Sequence, residues 1–137
     1  MKSITLEIEI KADMDRVWEY WTQPNHIIHW NFASEDWCCP SAENQMVPNG
    51  KFSWRMEAKD GSVGFDFEGI YDQVVTNKLI TYRMLDNRAV TIKFLQQDDC
   101  ILLQETFETE DIHSAEHQRA GWQSILENFK KYVESEK

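Results

Sequence analysis

Residues 51–67, KFSWRMEAKDGSVGFDF, alternate apolar and polar positions on both sides of a turn. In an extended chain Phe52, Trp54, Met56 and Ala58 point one way, while Lys51, Ser53, Arg55 and Glu57 point the other. Asp60-Gly61 supplies a two-residue hairpin turn. Folding the chain there sets Met56 opposite Phe65, Trp54 opposite Phe67 and Arg55 opposite Asp66, so one face is aromatic and the other carries an opposite-charge pair. Both faces agree with one register, which predicts an antiparallel sheet with large rings on its inner side.

The same period continues outward. Segments 79–85, 90–95 and 100–107 extend the meander, with Asp86-Asn87 and Asp98-Asp99 as turns. Toward the N-terminus, residues 3–10 alternate strictly, with Ile4, Leu6, Ile8 and Ile10 on one face. Asp13 offers an N-cap, Val17, Trp18 and Trp21 follow at helical spacing, and Pro24 stops the run. Residues 25–30 read as another helical turn or two, and 31–48 mix turn formers with aromatics and read as irregular. After Phe107 the period changes to 3.6: Gly121, Trp122, Ile125, Leu126, Phe129, Tyr132 and Val133 recur at steps of three and four, with Ser114 as a cap. About 20 residues of helix reach roughly 30 Å, enough to cross the whole sheet. Gly121 is read as the point where helix and sheet approach closely. The expected architecture is α+β, a curved antiparallel sheet of six or seven strands on which a long C-terminal helix encloses a cavity.

At 137 residues the chain has the size of a single domain. A formal net charge of -10, unbroken by any basic run, argues against nucleic acid and against anionic membrane surfaces. No apolar run approaches the ~18 residues needed to span a bilayer, and no signal-peptide pattern is present, so the expected location is cytoplasmic. Three cysteines, Cys38 and Cys39 adjacent and Cys100 distant, are expected as free thiols. Six tryptophans and seven phenylalanines exceed what a minimal core needs, which hints at a pocket.

Several ordered motifs resemble a known family: Val17-Trp18 with Trp21-Thr22 and Pro24; Trp30-Asn31 with Ala33-Ser34 and Asp36-Trp37; Arg55-Met56-Glu57-Ala58 with Asp60-Gly61-Ser62; Gly64-Phe65-Asp66-Phe67 with Gly69 and Tyr71; Glu105-Thr106-Phe107; and Gln118-Arg119 with Gly121-Trp122-Gln123. In these the chain resembles, over essentially its full length, the homologues of the activator of the 90-kilodalton heat-shock chaperone ATPase, in the START-like (SRPBCC) superfamily. The resemblance implies a helix-grip fold with a hydrophobic cavity, no cofactor and no established reaction. In eukaryotic activators an additional N-terminal domain contacts the chaperone. No stretch here corresponds to it, so a chaperone contact stays an alternative partner, as does a homodimer. Asn49 stands where the family usually has a second glycine before Gly50, a change that an αL-tolerant residue absorbs.

The expected pocket wall comprises Trp30, Trp37, Trp54, Met56, Phe65, Phe67, Met84 and Trp122, although apolar periodicity alone does not tell a hollow interior from a filled one. Its polar groups are Glu105, Asn31 and Asp36. Glu105 alternates with Ile101, Leu103 and Phe107, so it faces inward and needs a partner. That partner is either Arg83, in a buried ion pair, or a ligand or reacting group. Asp36 either caps a turn or faces the cavity mouth. His113-Ser-Ala-Glu116-His117 matches the H-x-x-E-H pattern of inverted zinc peptidases, but a Ser114 cap leaves His113 outside the helix and off the face of His117, so the run reads as a solvated helix start. His26, His29, Cys38 and Cys39 make a nominal zinc set, yet adjacent cysteines seldom chelate one ion. No metal site and no catalytic residue is assigned. The leading expectation is a module that binds a small hydrophobic or aromatic molecule. The alternatives are a cyclase, dehydratase or hydrolase using Glu105, and an interaction protein.

Overall fold

The first strand gives way within three residues to the first helix, which Asp13 opens. In β1 (Ser3–Ile10) Ile4, Leu6 and Ile10 are buried, as their alternation requires. Asp13 then accepts the Arg16 backbone N–H at 2.8 Å and starts α1 (Met14–Thr22), which buries Val17 and Trp21. The computed structural model describes residues 2–135. Pro24 does more than stop α1: it occupies the first turn of a short helix, α2 (Pro24–Ile27), where its missing N–H would have had no partner. The remaining elements are β2 (Trp37–Asn44), β3 (Lys51–Ala58), β4 (Gly64–Val75), β5 (Leu79–Met84), β6 (Ala89–Gln96), β7 (Ile101–Glu108) and α3 (Ala115–Ser135). The seven strands form one curled antiparallel sheet in the order β1-β7-β6-β5-β4-β3-β2.

The central hairpin has the expected register, with Met56 facing Phe65, Trp54 facing Phe67 and Arg55 facing Asp66. On its outer face Arg55 lies 3.4 Å from Asp66 and 2.8 Å from Glu57. The tip is wider than the sequence predicts: the Ala58 N–H donates to Val63 O, leaving a four-residue loop, 59–62, and not a two-residue turn. A tight I′ turn needs two residues with positive φ, and here only Gly61 has one, at 78°. The region 31–48, expected as irregular, holds the edge strand β2. Its pairing with β3 slips between Cys38 and Ser41, around Pro40, so its side chains keep no simple alternation. Asn49 takes a φ of 68°, in keeping with the tolerance expected of it.

α3 closes the core unevenly. Leu126, Phe129 and Val133, all in its C-terminal half, have no exposed surface. Phe129 meets the rings of Trp21 and Trp30 edge-on, at centroid distances of 4.9 and 4.8 Å. Trp18 and Trp21 in turn pack edge-on against Phe94 of β6. In the N-terminal half Gln118 and no apolar residue is buried, so this end of the helix stands off the sheet.

Gly69 of β4 sits where the Phe52 ring and the neighbouring strand's backbone leave no room for a side chain. A Cβ there would lie 2.4 Å from the Arg83 carbonyl oxygen and 2.5 Å from the Phe52 ring. Because one of these obstacles is backbone, Gly69→Ala is expected to destabilise the protein by about 2–3 kcal/mol, read as a lowered urea midpoint with an unchanged slope.

Candidate functional site

The standing-off end of α3 leaves a cavity of about 710 Å³. Its floor is the aromatic face of the β3–β4 hairpin: Trp54, Met56, Phe65 and Phe67 all line it. Trp54 and Phe67, opposite in register, lie nearly parallel at 5.5 Å. Trp54 is fixed from behind by Phe52, stacked at 4.3 Å, and by its ring N–H, which donates to Asn44 Oδ1 at 3.0 Å. The same oxygen accepts the Tyr71 hydroxyl, while Asn44 Nδ2 donates to the Thr22 carbonyl at the end of α1. Across the cavity Trp122 of α3 stacks on Phe107 at 4.2 Å, and Trp37 meets Phe65 edge-on at the mouth.

Eight of the expected pocket residues thus surround one space: Asn31, Trp37, Trp54, Met56, Phe65, Phe67, Glu105 and Trp122. Three stand elsewhere. Trp30 is core, stacked on Trp21 with its ring N–H donating to the Tyr20 carbonyl at 2.9 Å. Asp36 is exposed, and its carbonyl accepts the Lys59 N–H. Met84 borders a smaller depression of about 300 Å³ with Ile70 and Arg83. Sequence reasoning missed Tyr82, although it shares the alternation that singled out Met84, and Arg88, which sits in a turn and carried no periodic signal.

Gly121 corrects an expectation. A Cβ added there would meet nothing within 4 Å, so it is not a point of close approach but an opening in the cavity wall. The rim beside it is the 109–114 loop, held to α3 by Gln118. That buried side chain accepts the Glu110 N–H at 2.9 Å and donates to the Glu110 and His113 carbonyls.

Glu105 faces inward, as its alternation requires, and is only 5% exposed. Arg83 is not its partner: it lies on the outer face, 3.2 Å from Asp72, because alternation in β5 buries Tyr82 and Met84 and turns Arg83 outward. Among the described residues nothing forms a hydrogen bond or ion pair with the Glu105 carboxyl. Burial accordingly pushes it up to about 8. Burial first, and the Glu105 carboxyl second, push the Tyr82 phenol well above its ordinary value. Asn31 is the second buried polar group in the wall. Its Nδ2 makes no hydrogen bond of ordinary geometry; the polar group beside it is the Cys39 thiol, itself pushed up to about 11 chiefly by burial.

The two candidate metal sets come out differently from each other. His113 and His117 are brought together, against expectation, with rings stacked at 5.0 Å. Ser114 does cap the helix through the His117 N–H, but the loop folds back so that His113 Nδ1 reaches Glu110 and its ring lies over His117. His26 instead stacks on Tyr20 at 4.0 Å and hydrogen-bonds the Tyr132 hydroxyl, away from the free thiols of Cys38 and Cys39. No group of three or more His, Cys, Asp or Glu among the described residues is placed to hold a metal ion.

With a folded value near 8 and an unfolded one near 4.3, ionisation of Glu105 costs the folded state nothing below about pH 4, and the penalty grows as pH rises until it is complete above 8. Glu105→Gln, which stays neutral, is therefore expected to be more stable than the parent at pH 8 by about 2–4 kcal/mol. The gap should narrow toward pH 5 in urea unfolding. Loss of stability at pH 8 would instead show that the ionised carboxyl is well paired.

The model of the family Activator of Hsp90 ATPase homolog 1-like protein matches residues 11–134. An AHSA1-like protein from Aeromonas hydrophila, solved by NMR, is 40% identical, with a TM-score of 0.93 over 98% of this chain and 93% of that one. Chr148 from Cytophaga hutchinsonii is 44% identical, with a TM-score of 0.85 over 97% of this chain and 92% of that one. NE0264 from Nitrosomonas europaea shares the fold at 15% identity, with a TM-score of 0.85 and coverage of 98% and 95%. Among curated proteins, none matches the chain. No helix among the described residues is long and apolar enough to cross a membrane. By the extent of the family match and the identity of these neighbours, the chain belongs to the family of Activator of Hsp90 ATPase homolog 1-like proteins.

Proposed function

We propose that the chain works as one START-like domain that binds a small, largely apolar or aromatic molecule in this cavity, with Glu105 and Asn31 fixing its orientation. One observation carries the reading: about 710 Å³ is left open against six aromatic rings and a buried carboxyl that has no partner. That volume falls in the range of sites that hold drug-sized ligands, which are mostly apolar with a few placed polar groups. Gly121 adds support. A helix interior ordinarily disfavours glycine by about 1 kcal/mol relative to alanine, and here its missing side chain enlarges the space.

A second reading, general acid–base catalysis by Glu105, has one observation in its favour. A carboxyl poised near 8 holds its proton at neutral pH and could deliver it to a bound molecule. A chaperone contact, suggested by the family's description, is a third reading, which co-purification of a chaperone with the chain would favour.

Gly121→Leu places a side chain in the open space. It is expected to weaken binding of the neutral fluorophore N-phenyl-1-naphthylamine more than about tenfold, with stability unchanged or raised by up to about 1 kcal/mol. Titrations of dye fluorescence on both proteins provide the test, and unaltered dye affinity in the leucine variant would count against the cavity as the binding site.

A further inference from the structure

We propose, building on the ligand-binding reading, that the cavity selects an apolar organic amine, its cation held at Glu105 against the faces of the surrounding aromatic rings. The argument starts from the charge balance of the wall. Tyr82 on β5, Arg88 in the β5–β6 turn, Glu110 and His113 in the loop before α3, and His117 on α3 are the titratable and charged groups that share the cavity with Glu105. Arg88 is the one fixed cation among them. Its Nε is held by Asp86 at 2.6 Å and its Nη1 by the Glu108 carbonyl. His113 is engaged by Glu110, whose carboxyl it holds below the usual range. His117 stacks on His113 and makes no ion pair with Glu105. Glu105 is therefore a deeply buried carboxyl with no countercharge from the protein, on a chain whose own balance is already -10.

The rings that line the same cavity suit a cation. Trp54 and Phe67 present parallel faces, and Trp122 meets Phe67 edge-on at 6.3 Å. Aromatic faces attract ammonium groups, most strongly where water is excluded. An amine therefore supplies the two things the wall lacks, a countercharge for Glu105 and a positive group for the ring faces. A carboxylate ligand supplies neither and adds repulsion from Glu110. A neutral ligand leaves Glu105 protonated, as a simple hydrogen-bonding group.

The test uses three probes of one shape: 1-naphthylmethylamine, 1-naphthalenemethanol and 1-naphthoic acid, titrated by calorimetry into the parent protein and Glu105→Gln. At pH 7 the amine is expected to bind the parent at least about tenfold more tightly than the alcohol, with the acid weakest. Because the amine draws Glu105 into its ionised form, binding should release roughly one proton, seen as a dependence of the heat on buffer ionisation. Amine affinity should rise about tenfold from pH 6 to pH 7. Glu105→Gln should lower amine affinity at least about tenfold, to near that of the alcohol, and abolish the proton release. Proton release by the parent carries the result even if the variant folds poorly. If the alcohol or acid binds as tightly as the amine, or if the preference for the amine survives in Glu105→Gln, this inference is overturned while the ligand-binding reading stands. If none of the three binds, both fall.

Discussion

Phe129 packs edge-on against the stacked rings of Trp21 and Trp30, and with Leu126 and Val133 it fixes one end of α3 to the sheet and to the N-terminal helices. Everything in the functional region follows from that one-sided anchorage. The buried end supplies apolar contact at roughly 1.5–3 kcal/mol for each large side chain, so the other end need not pack to keep the helix in place. It is positioned instead by Gln118, which ties it to the 109–114 loop, and by the Trp122–Phe107 stack, which joins helix to sheet without filling the interval. A helix anchored along its whole length would have left a solid interior.

Against this frame the polar chemistry of the cavity is costly. A buried carboxyl and a buried amide without partners each oppose folding, and the surrounding core must offset both. Such costs persist where the structure around them is over-determined, and they mark positions where composition serves something other than stability. The aromatic floor shows the opposite economy. Trp54 is held by Phe52, by Asn44 and by its facing Phe67, so the wall is rigid before anything touches it.

The parts of this arrangement that were legible in the sequence are those with a strict period. Alternation located six of the seven strands, gave the hairpin register to the residue, and turned Glu105 inward; helical spacing located α3. What escaped had no period to read. β2 is interrupted by Pro40 and a bulge, which scrambles its alternation. Arg88 projects from a turn, and the stacking of His113 on His117 depends on how a loop folds back onto a helix. Gly121 shows a subtler limit. A small residue on a helix face signals either contact or vacancy, and only the separation of the two layers, set by distant Phe129 and its neighbours, decides between them. For the same reason Trp30 and Trp54 were indistinguishable as sequence, though one fills the core and the other lines the hollow.

The sheet is also open, with β1 and β2 at its rims. Unpaired rims invite further strands, and chains with long flat rims polymerise. Here the β2 rim is broken by Pro40, which has no N–H to offer, and by the bulge around it. The β1 rim carries Glu7 and Glu9 on its outward side, so two copies meeting there would bring like charges together. The irregularity that hid β2 from view is the same feature that makes its rim a poor template for another strand.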